Sequence, residues 1–183
     1  MREAVFLDRD GTLNFDPGYI GDPAKLSLLP GALEALQLLS ENELLLIVVS
    51  NQSGVGRGFF SEDDLRAVHE RLDAMVAGVG VKFTSYELCL HTPTDQCECR
   101  KPSPKLVLDA ATRFGIDLSK SYMVGDKLSD VECGERAGVR LSYLIQAGRL
   151  SRTPSQTQSP RVKVVESLLQ AATEIVGLKH PAK

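Results

Sequence analysis

Two carboxylates, Asp8 and Asp10, stand at the end of the apolar run Ala4-Val5-Phe6-Leu7. The run reads as a short buried strand that Gly11 interrupts. Acids this close repel one another, so the pair implies a bound cation or a perturbed pKa. Polar groups follow other apolar runs in the same way: Ser50 and Asn51, then Lys101, then Asp126 with Asp130. Together they suit the transfer of a phosphoryl group. Asp8, Asp126 and Asp130 offer the hard oxygen ligands that Mg²⁺ prefers. Ser50 and Asn51 supply hydrogen-bond donors, and Lys101 a point charge. A phosphoryl group in flight spreads charge over its equatorial oxygens, so the protein's work is positioning and neutralisation. Mg²⁺ with Lys101 also makes a carboxylate tolerable as a nucleophile against an anionic phosphate.

A second constellation is Cys89-x-His91-x5-Cys97-x-Cys99. Three thiolates and one imidazole make a tetrahedral Zn²⁺ set with no position left for water, so this zinc is structural. A loop with so little apolar material gains from the metal, which can contribute on the order of 10 kcal/mol of folding energy. Arg100 and Lys101 follow the last ligand directly. Three of the four cysteines fall within 89–99, which fits a reducing cytoplasm better than disulfides. Cys133 reads as a small buried residue.

The elements that must position these groups alternate apolar runs with amphipathic stretches, the pattern of a doubly wound α/β sheet. A Gly-, Pro- and Asp-rich loop spans 11–30. A helix is predicted over 31–42 and a buried strand over 44–49. Gly54, Gly56 and Gly58 make the next loop flexible. Ser61 and Asp64 form a capping box that opens a helix to about Ala77. A strand over 83–90 runs into the cysteine cluster. Ser103-Pro104 opens a helix to about Phe114, with Pro at the first helical position. Residues 121–124 read as a strand, 128–137 as a helix and 140–145 as a strand. A polar loop covers 147–160, then a strand 162–165 and a helix 167–176. No repeat is visible, and the chain reads as one domain over 1–183.

With 183 residues, 43% hydrophobic and 25% charged, the composition is that of a soluble domain. No apolar run approaches the roughly 18 residues of a membrane span, and the first residues lack the apolar region of a signal peptide. Net charge is −3, with 5% aromatic residues and no Trp. The Lys and Arg residues are scattered, so neither a nucleic-acid footprint nor a stacking groove is indicated. The expectation is a cytoplasmic monomer with a small-molecule substrate, no nucleic acid and no membrane.

Phe6-Leu7-Asp8-Arg9-Asp10-Gly11-Thr12-Leu13, Val48-Val49-Ser50-Asn51, Lys101-Pro102 and Gly125-Asp126-Lys127-Leu128-Ser129-Asp130 resemble, in order, motifs I to IV of the haloacid dehalogenase superfamily of phosphotransferases. The resemblance implies a mainly parallel Rossmann-like sheet with helices on both faces. It implies Asp8 as the nucleophile of an aspartyl-phosphate intermediate, and Asp10 as the acid that protonates the leaving group and then the base that activates water. It also implies Mg²⁺ on the Asp8 carboxylate, the Asp10 backbone carbonyl and Asp126, with Asp130 in or just behind that shell. Segments 11–30 and 89–101 are too short for the cap domain that many members carry, so the site is open and loops select the substrate.

A zinc loop followed by Arg-Lys-Pro resembles two groups within the superfamily, the D-glycero-D-manno-heptose-1,7-bisphosphate 7-phosphatases and the histidinol-phosphate phosphatases. The first also resembles this chain in Asp16-Pro17-Gly18-Tyr19, in the segment from Ser50 to Gly58, and in Tyr122-Met123-Val124-Gly125-Asp126-Lys127-Leu128. Carried over, Ser50 and Lys101 hold the transferring phosphoryl group, while Arg100 and backbone groups near Gln52 and Ser53 touch the sugar or its second phosphate. The five-residue spacer between His91 and Cys97 is more like the histidinol-phosphate group. Ser50 keeps the hydroxyl of the Thr often found at its position.

Other candidates are two-sided. Arg57 either clamps a distal phosphate or is a solvated loop residue, and Tyr19 either stacks on a substrate ring or pins its loop. Arg9 lies between the acids, and strand alternation points it to the other face. The phosphate raises the pKa of Asp10 and the metal lowers it, leaving the net sign open. His69 reads as a surface residue on the polar side of its helix. His180 reads as part of a frayed tail, and Arg149 and Arg152 as solvent-facing.

Overall fold

The computed structural model describes residues 1–146 and 159–180. Six parallel strands form one sheet: β1 (Ala4–Leu7), β2 (Leu45–Asn51), β3 (Ser85–Cys89), β4 (Tyr122–Gly125), β5 (Leu141–Ile145) and β6 (Val162–Val165). Their spatial order is β3-β2-β1-β4-β5-β6, so the winding reverses between β1 and β4. That reversal opens a crevice beyond the carboxyl ends of the two strands. Asp8 leaves β1 and Asp126 leaves β4, and the Asp8 amide donates to the Val124 carbonyl at 2.9 Å. The acids are therefore joined at the switch point by backbone.

Helices cover both faces, which is why the strands read as unbroken apolar runs. Val5, Leu7, Leu46, Val48 and Val124 pack on one side with α1 (Ala32–Glu41), α3 (Glu62–Ala77) and α6 (Leu168–Lys179). Ala4, Phe6, Ile47, Val49 and Met123 pack on the other with α4 (Lys105–Phe114) and α5 (Leu128–Ala137). The alternation of neighbouring strand residues between two clusters is the period-2 geometry of a sheet buried on both sides. Each layer thus holds the strand ends from one direction, and the rim they share is fixed. Among the described residues no cap domain follows β1 or β3.

Several boundaries differ from the sequence reading. β2 continues through Ser50 and Asn51, because β3 pairs with it up to Cys89; both site residues are thus strand, not loop. The glycine loop expected to be flexible begins as a helical turn, α2 (Ser53–Gly56). Pro104, expected as the first helical residue, is instead the N-cap of α4, which begins one place later at Lys105. The Ser61–Asp64 capping box is present. α6 runs past the expected end because Lys179 donates to the Asn42 carbonyl at 2.7 Å. His180, expected to fray, lies 3.1 Å from the Asn42 side chain. Most of the polar loop expected at 147–160, with Arg149 and Arg152, lies outside the described residues.

The turn after β1 depends on one glycine. Gly11 has φ +86°, and a Cβ there would overlap the Asp126 carboxylate. We expect Gly11→Ala to cost about 1–3 kcal/mol from strain at positive φ, measured by urea unfolding. It should also weaken Mg²⁺ binding, because Asp126 must move. A variant with unchanged stability would show that this turn relaxes freely.

Candidate active site

The carboxyl rim of the sheet carries the predicted groups, and they converge. Asp8, Asp126 and Asp130 present oxygens that lie within 4.8 Å of one another. Lys101 reaches them from the segment after β3. Its ammonium lies 2.7 Å from Asp8 Oδ1 and 2.7 Å from Asp130 Oδ1 and donates to the Val49 carbonyl at 2.6 Å. Burial works against that charge, but Asp8 and Asp130 more than offset it and hold the lysine pKa well above its usual value. Asp126 is less well compensated. Burial, opposed by Lys127 but reinforced by Asp8 and Asp130, pushes its carboxyl up to about 6. Its buried Oδ1 has no hydrogen-bond partner among the described residues. An unpartnered buried oxygen beside two further carboxylates is the donor set that a hard divalent cation completes. The residues present fit Mg²⁺.

Asp10 is held differently from the sequence expectation. Arg9 does not point to the opposite face. Its side chain is fully buried and wraps back onto Asp10, donating from Nε at 3.0 Å and from Nη2 at 2.8 Å. Alternation fails here because β1 has already ended at Leu7 and the chain is entering a turn. Asn14 and Gln52 each add a donor to the Asp10 carboxylate, at 3.0 and 2.8 Å. Burial alone would raise the pKa of Asp10, but the Arg9 charge and these hydrogen bonds bring it below the usual carboxylate value.

Behind Arg9 stands His69, which is buried rather than on the surface. Its Nε2 lies 3.3 Å from Arg9 Nη1, and its ring stacks on Tyr86 with centroids 4.3 Å apart. The spacing of Leu65, Val68, His69, Leu72 and Val76, all buried on α3, was the available signal: His69 falls on the apolar stripe.

The second predicted constellation also closes. Cys89 Sγ lies 3.5 Å from Cys97 Sγ and 3.7 Å from His91 Nδ1, and Cys99 Sγ lies 3.3 Å from His91 Nδ1 and 3.6 Å from Cys97 Sγ. Bonds of about 2.3 Å to sulfur and about 2.0 Å to nitrogen, at tetrahedral angles, need edges of roughly 3.5–3.8 Å. The four groups fit Zn²⁺. The loop they close is tied to the site at two points. Arg100 Nη1 donates to the His91 carbonyl at 3.2 Å. Asn51 clamps Lys101 by its backbone, accepting from the amide at 3.0 Å and donating to the carbonyl at 3.2 Å.

A cavity of about 410 Å³ opens above this floor. Asp16, Gly18 and Tyr19 form one wall and Arg100 and Lys101 another, with Gln52, Ser53, Lys127 and Ser129 between them. A deeper chamber lies among Asp8, Asp10, Ser50, Lys101 and Asp130. Tyr19 packs edge-on against Phe59, with centroids 4.8 Å apart. Phe60 is wedged so tightly between Gly21 and Gly54 that a Cβ at either would overlap its ring. Arg57 is exposed and does not line the cavity. The amides of Asn51 and Gln52 are occupied, the first by Lys101 and the second by Asp10 and Ser50. Lys127 and Asp16, which sequence reasoning did not single out, face each other at 3.4 Å.

A family model described as HAD-hydrolase-like matches residues 98–171. The D-glycero-beta-D-manno-heptose-1,7-bisphosphate 7-phosphatase of Pasteurella multocida (strain Pm70) is 37% identical, over 98% of this chain and all of the relative. The Escherichia coli (strain K12) enzyme of the same name is also 37% identical, over 98% and 97%. This chain belongs to the heptose-1,7-bisphosphate 7-phosphatase family. The structure agrees with that of a member of this family, D,D-heptose 1,7-bisphosphate phosphatase from B. bronchiseptica complexed with magnesium and phosphate. The TM-score is 0.88 at 32% identity, covering 96% of this chain and 99% of that one.

Two outcomes follow from the geometry. Cys97→Ser should abolish stoichiometric zinc by metal analysis. It should lower Tm by about 10 °C or more, as loss of several kcal/mol would in a domain of this size. Full zinc occupancy in that variant would overturn the ligand set. The second concerns His69, which burial, helped by the Arg9 charge, depresses from 6.5 to about 4. The folded chain refuses a proton that the unfolded chain accepts between those values, so the stability present above pH 6.5 is lost as pH falls through the window. His69→Phe should flatten that loss by up to about 3 kcal/mol, read by urea unfolding at stepped pH.

Proposed function

We propose that this protein is a Mg²⁺-dependent phosphatase that removes the 7-phosphate of D-glycero-β-D-manno-heptose 1,7-bisphosphate through an aspartyl-phosphate on Asp8. The observation that carries the reading is near-full-length similarity to enzymes of that name in a chain that retains a Lys101-braced carboxylate cluster. The reaction is carried by one domain, as a cytoplasmic monomer. No described helix is long and apolar enough to cross a membrane.

Asp8, the Asp10 backbone carbonyl and Asp126 would hold Mg²⁺, with Asp130 behind them. The ion supplies charge neutralisation for the phosphoryl oxygens. Asp8 attacks phosphorus and the sugar oxygen departs with a proton from Asp10. Water then attacks the acyl phosphate, returning a proton to Asp10 and freeing Asp8 and inorganic phosphate. Asp10 rests ionised in the free site, and a phosphate dianion beside it raises its affinity for the proton it must deliver. Ser50 and Lys101 position the phosphoryl group in the deep chamber. Arg100, Tyr19 and the Gln52-Ser53 backbone face the sugar and its second phosphate. Arg57, which is exposed and does not line the cavity, takes no part in this reading.

The test is kcat/KM with Mg²⁺ for both anomers of the bisphosphate and for histidinol phosphate, the competitor that the five-residue zinc-loop spacer favours. A preference of ~100-fold for the β-anomer over histidinol phosphate, about 2.7 kcal/mol of differential transition-state binding, is expected. The reverse preference would overturn the substrate. Asp8→Asn should bring turnover to background, and surviving activity would remove Asp8 as nucleophile.

A further inference from the structure

We propose that His69 is a positioning residue for the reaction: its imidazole Nε2 accepts from Arg9 and thereby sets the guanidinium fork that aims the Asp10 carboxylate. The inference rests on the phosphatase reading above. It concerns a residue that touches neither phosphate nor sugar. An arginine has donors only, so the 3.3 Å contact between Arg9 Nη1 and His69 Nε2 is a hydrogen bond only if Nε2 carries the lone pair. The ring is then the Nδ1–H tautomer. Burial and the Arg9 charge, which hold the ring at about 4, favour that neutral form.

The remaining Arg9 nitrogens are already committed. Nε and Nη2 hold Asp10, and Nη2 also donates to Gln52 Oε1 at 3.0 Å. Nη1 is therefore the one corner of the guanidinium fixed from outside the Asp10 cage. His69 is itself fixed. Its ring stacks within 20° of parallel on Tyr86, whose hydroxyl donates to Asp73 at 2.7 Å. A rigid chain thus runs from α3 through His69 and Arg9 to the carboxylate that moves protons. A planar fork held at all its corners delivers the carboxylate in one orientation, and small displacements of such a group are costly to catalysis.

The experiment compares His69→Phe, which keeps the ring stack and removes the acceptor, with His69→Gln, which restores one. Each is assayed as kcat/KM on the sugar bisphosphate and on p-nitrophenyl phosphate. The sugar alkoxide needs a proton to leave, whereas p-nitrophenolate does not. Loss of Asp10 aim should therefore lower kcat/KM for the sugar by about tenfold, a part of the ~10²–10⁴ that general acid–base catalysis supplies. The aryl ester should change less than about twofold, and the Gln variant should recover most of the sugar activity, since its amide oxygen can replace the lost acceptor. Equal losses on both substrates, no loss in the Phe variant, or a Gln variant as impaired as Phe would each overturn the proposal. Imidazole ¹⁵N shifts of the wild-type protein test it without any substitution: an Nε2–H tautomer overturns it even where the Phe variant fails to fold. If the wild-type protein itself fails on the sugar bisphosphate while hydrolysing the aryl ester, the natural substrate is wrong. The tautomer would still decide the role of His69.

Discussion

Asp8, Asp126 and Asp130 crowd their oxygens within 4.8 Å, where each like-charged pair repels by about 1 kcal/mol in water and by several in a partly dry site. Lys101 answers that repulsion. Its ammonium sits 2.7 Å from Asp8 and 2.7 Å from Asp130, whereas Asp126 has the looser counter-charge of Lys127 at 3.8 Å. The tilt of Asp126 toward protonation and its unpartnered oxygen express the same imbalance. A divalent cation corrects it, and so does a proton. The rest of the molecule keeps this arrangement from relaxing. Parallel pairing of β1 with β4 brings two of the acids together, and Gly11 lets the Asp126 carboxylate lie against the turn that carries Asp10.

Asp8 and Asp126 follow strands directly and Asp130 lies on α5, whereas Lys101 comes from the irregular segment between β3 and α4. Its placement comes from the cysteine loop after β3, from the Asn51 clamp on its backbone, and from the Val49 carbonyl. The sulfur–imidazole cluster therefore bears on the floor through chain geometry, since none of its four ligands lines the deeper chamber. The same loop fixes Arg100 through the His91 carbonyl. Charge balance at the floor and contacts on one cavity wall share a single mechanical support.

Most of the fold was legible because a sheet buried on both faces writes its strands as apolar runs, and the site residues are what interrupts them. Ser50, Lys101, Asp126 and the cysteine cluster could be placed for that reason. What escaped was whatever depends on the path of the chain after a strand stops. Arg9 looked outward only under an alternation that no longer holds beyond Leu7. The bracing of Lys101 by the Asn51 side chain and of Asp10 by the Gln52 side chain escaped for the same reason. His69 was legible in principle, since it lies four residues beyond Leu65 on the buried stripe of α3. Histidine's polar character outweighed its position in that reading.

The cavity is made from two kinds of material. Its floor consists of strand ends and their immediate turns, each braced by neighbours on both sides. The walls that face away from the phosphoryl chamber, at Gly18-Tyr19 and at Arg100, belong to connecting segments whose length the sheet does not dictate. Such a division lets evolution lengthen, shorten or recolour the walls while leaving the floor intact. Divergence toward other phosphate esters would then leave its record in loop insertions and in the spacing of the metal ligands, with the carboxylates themselves unmoved.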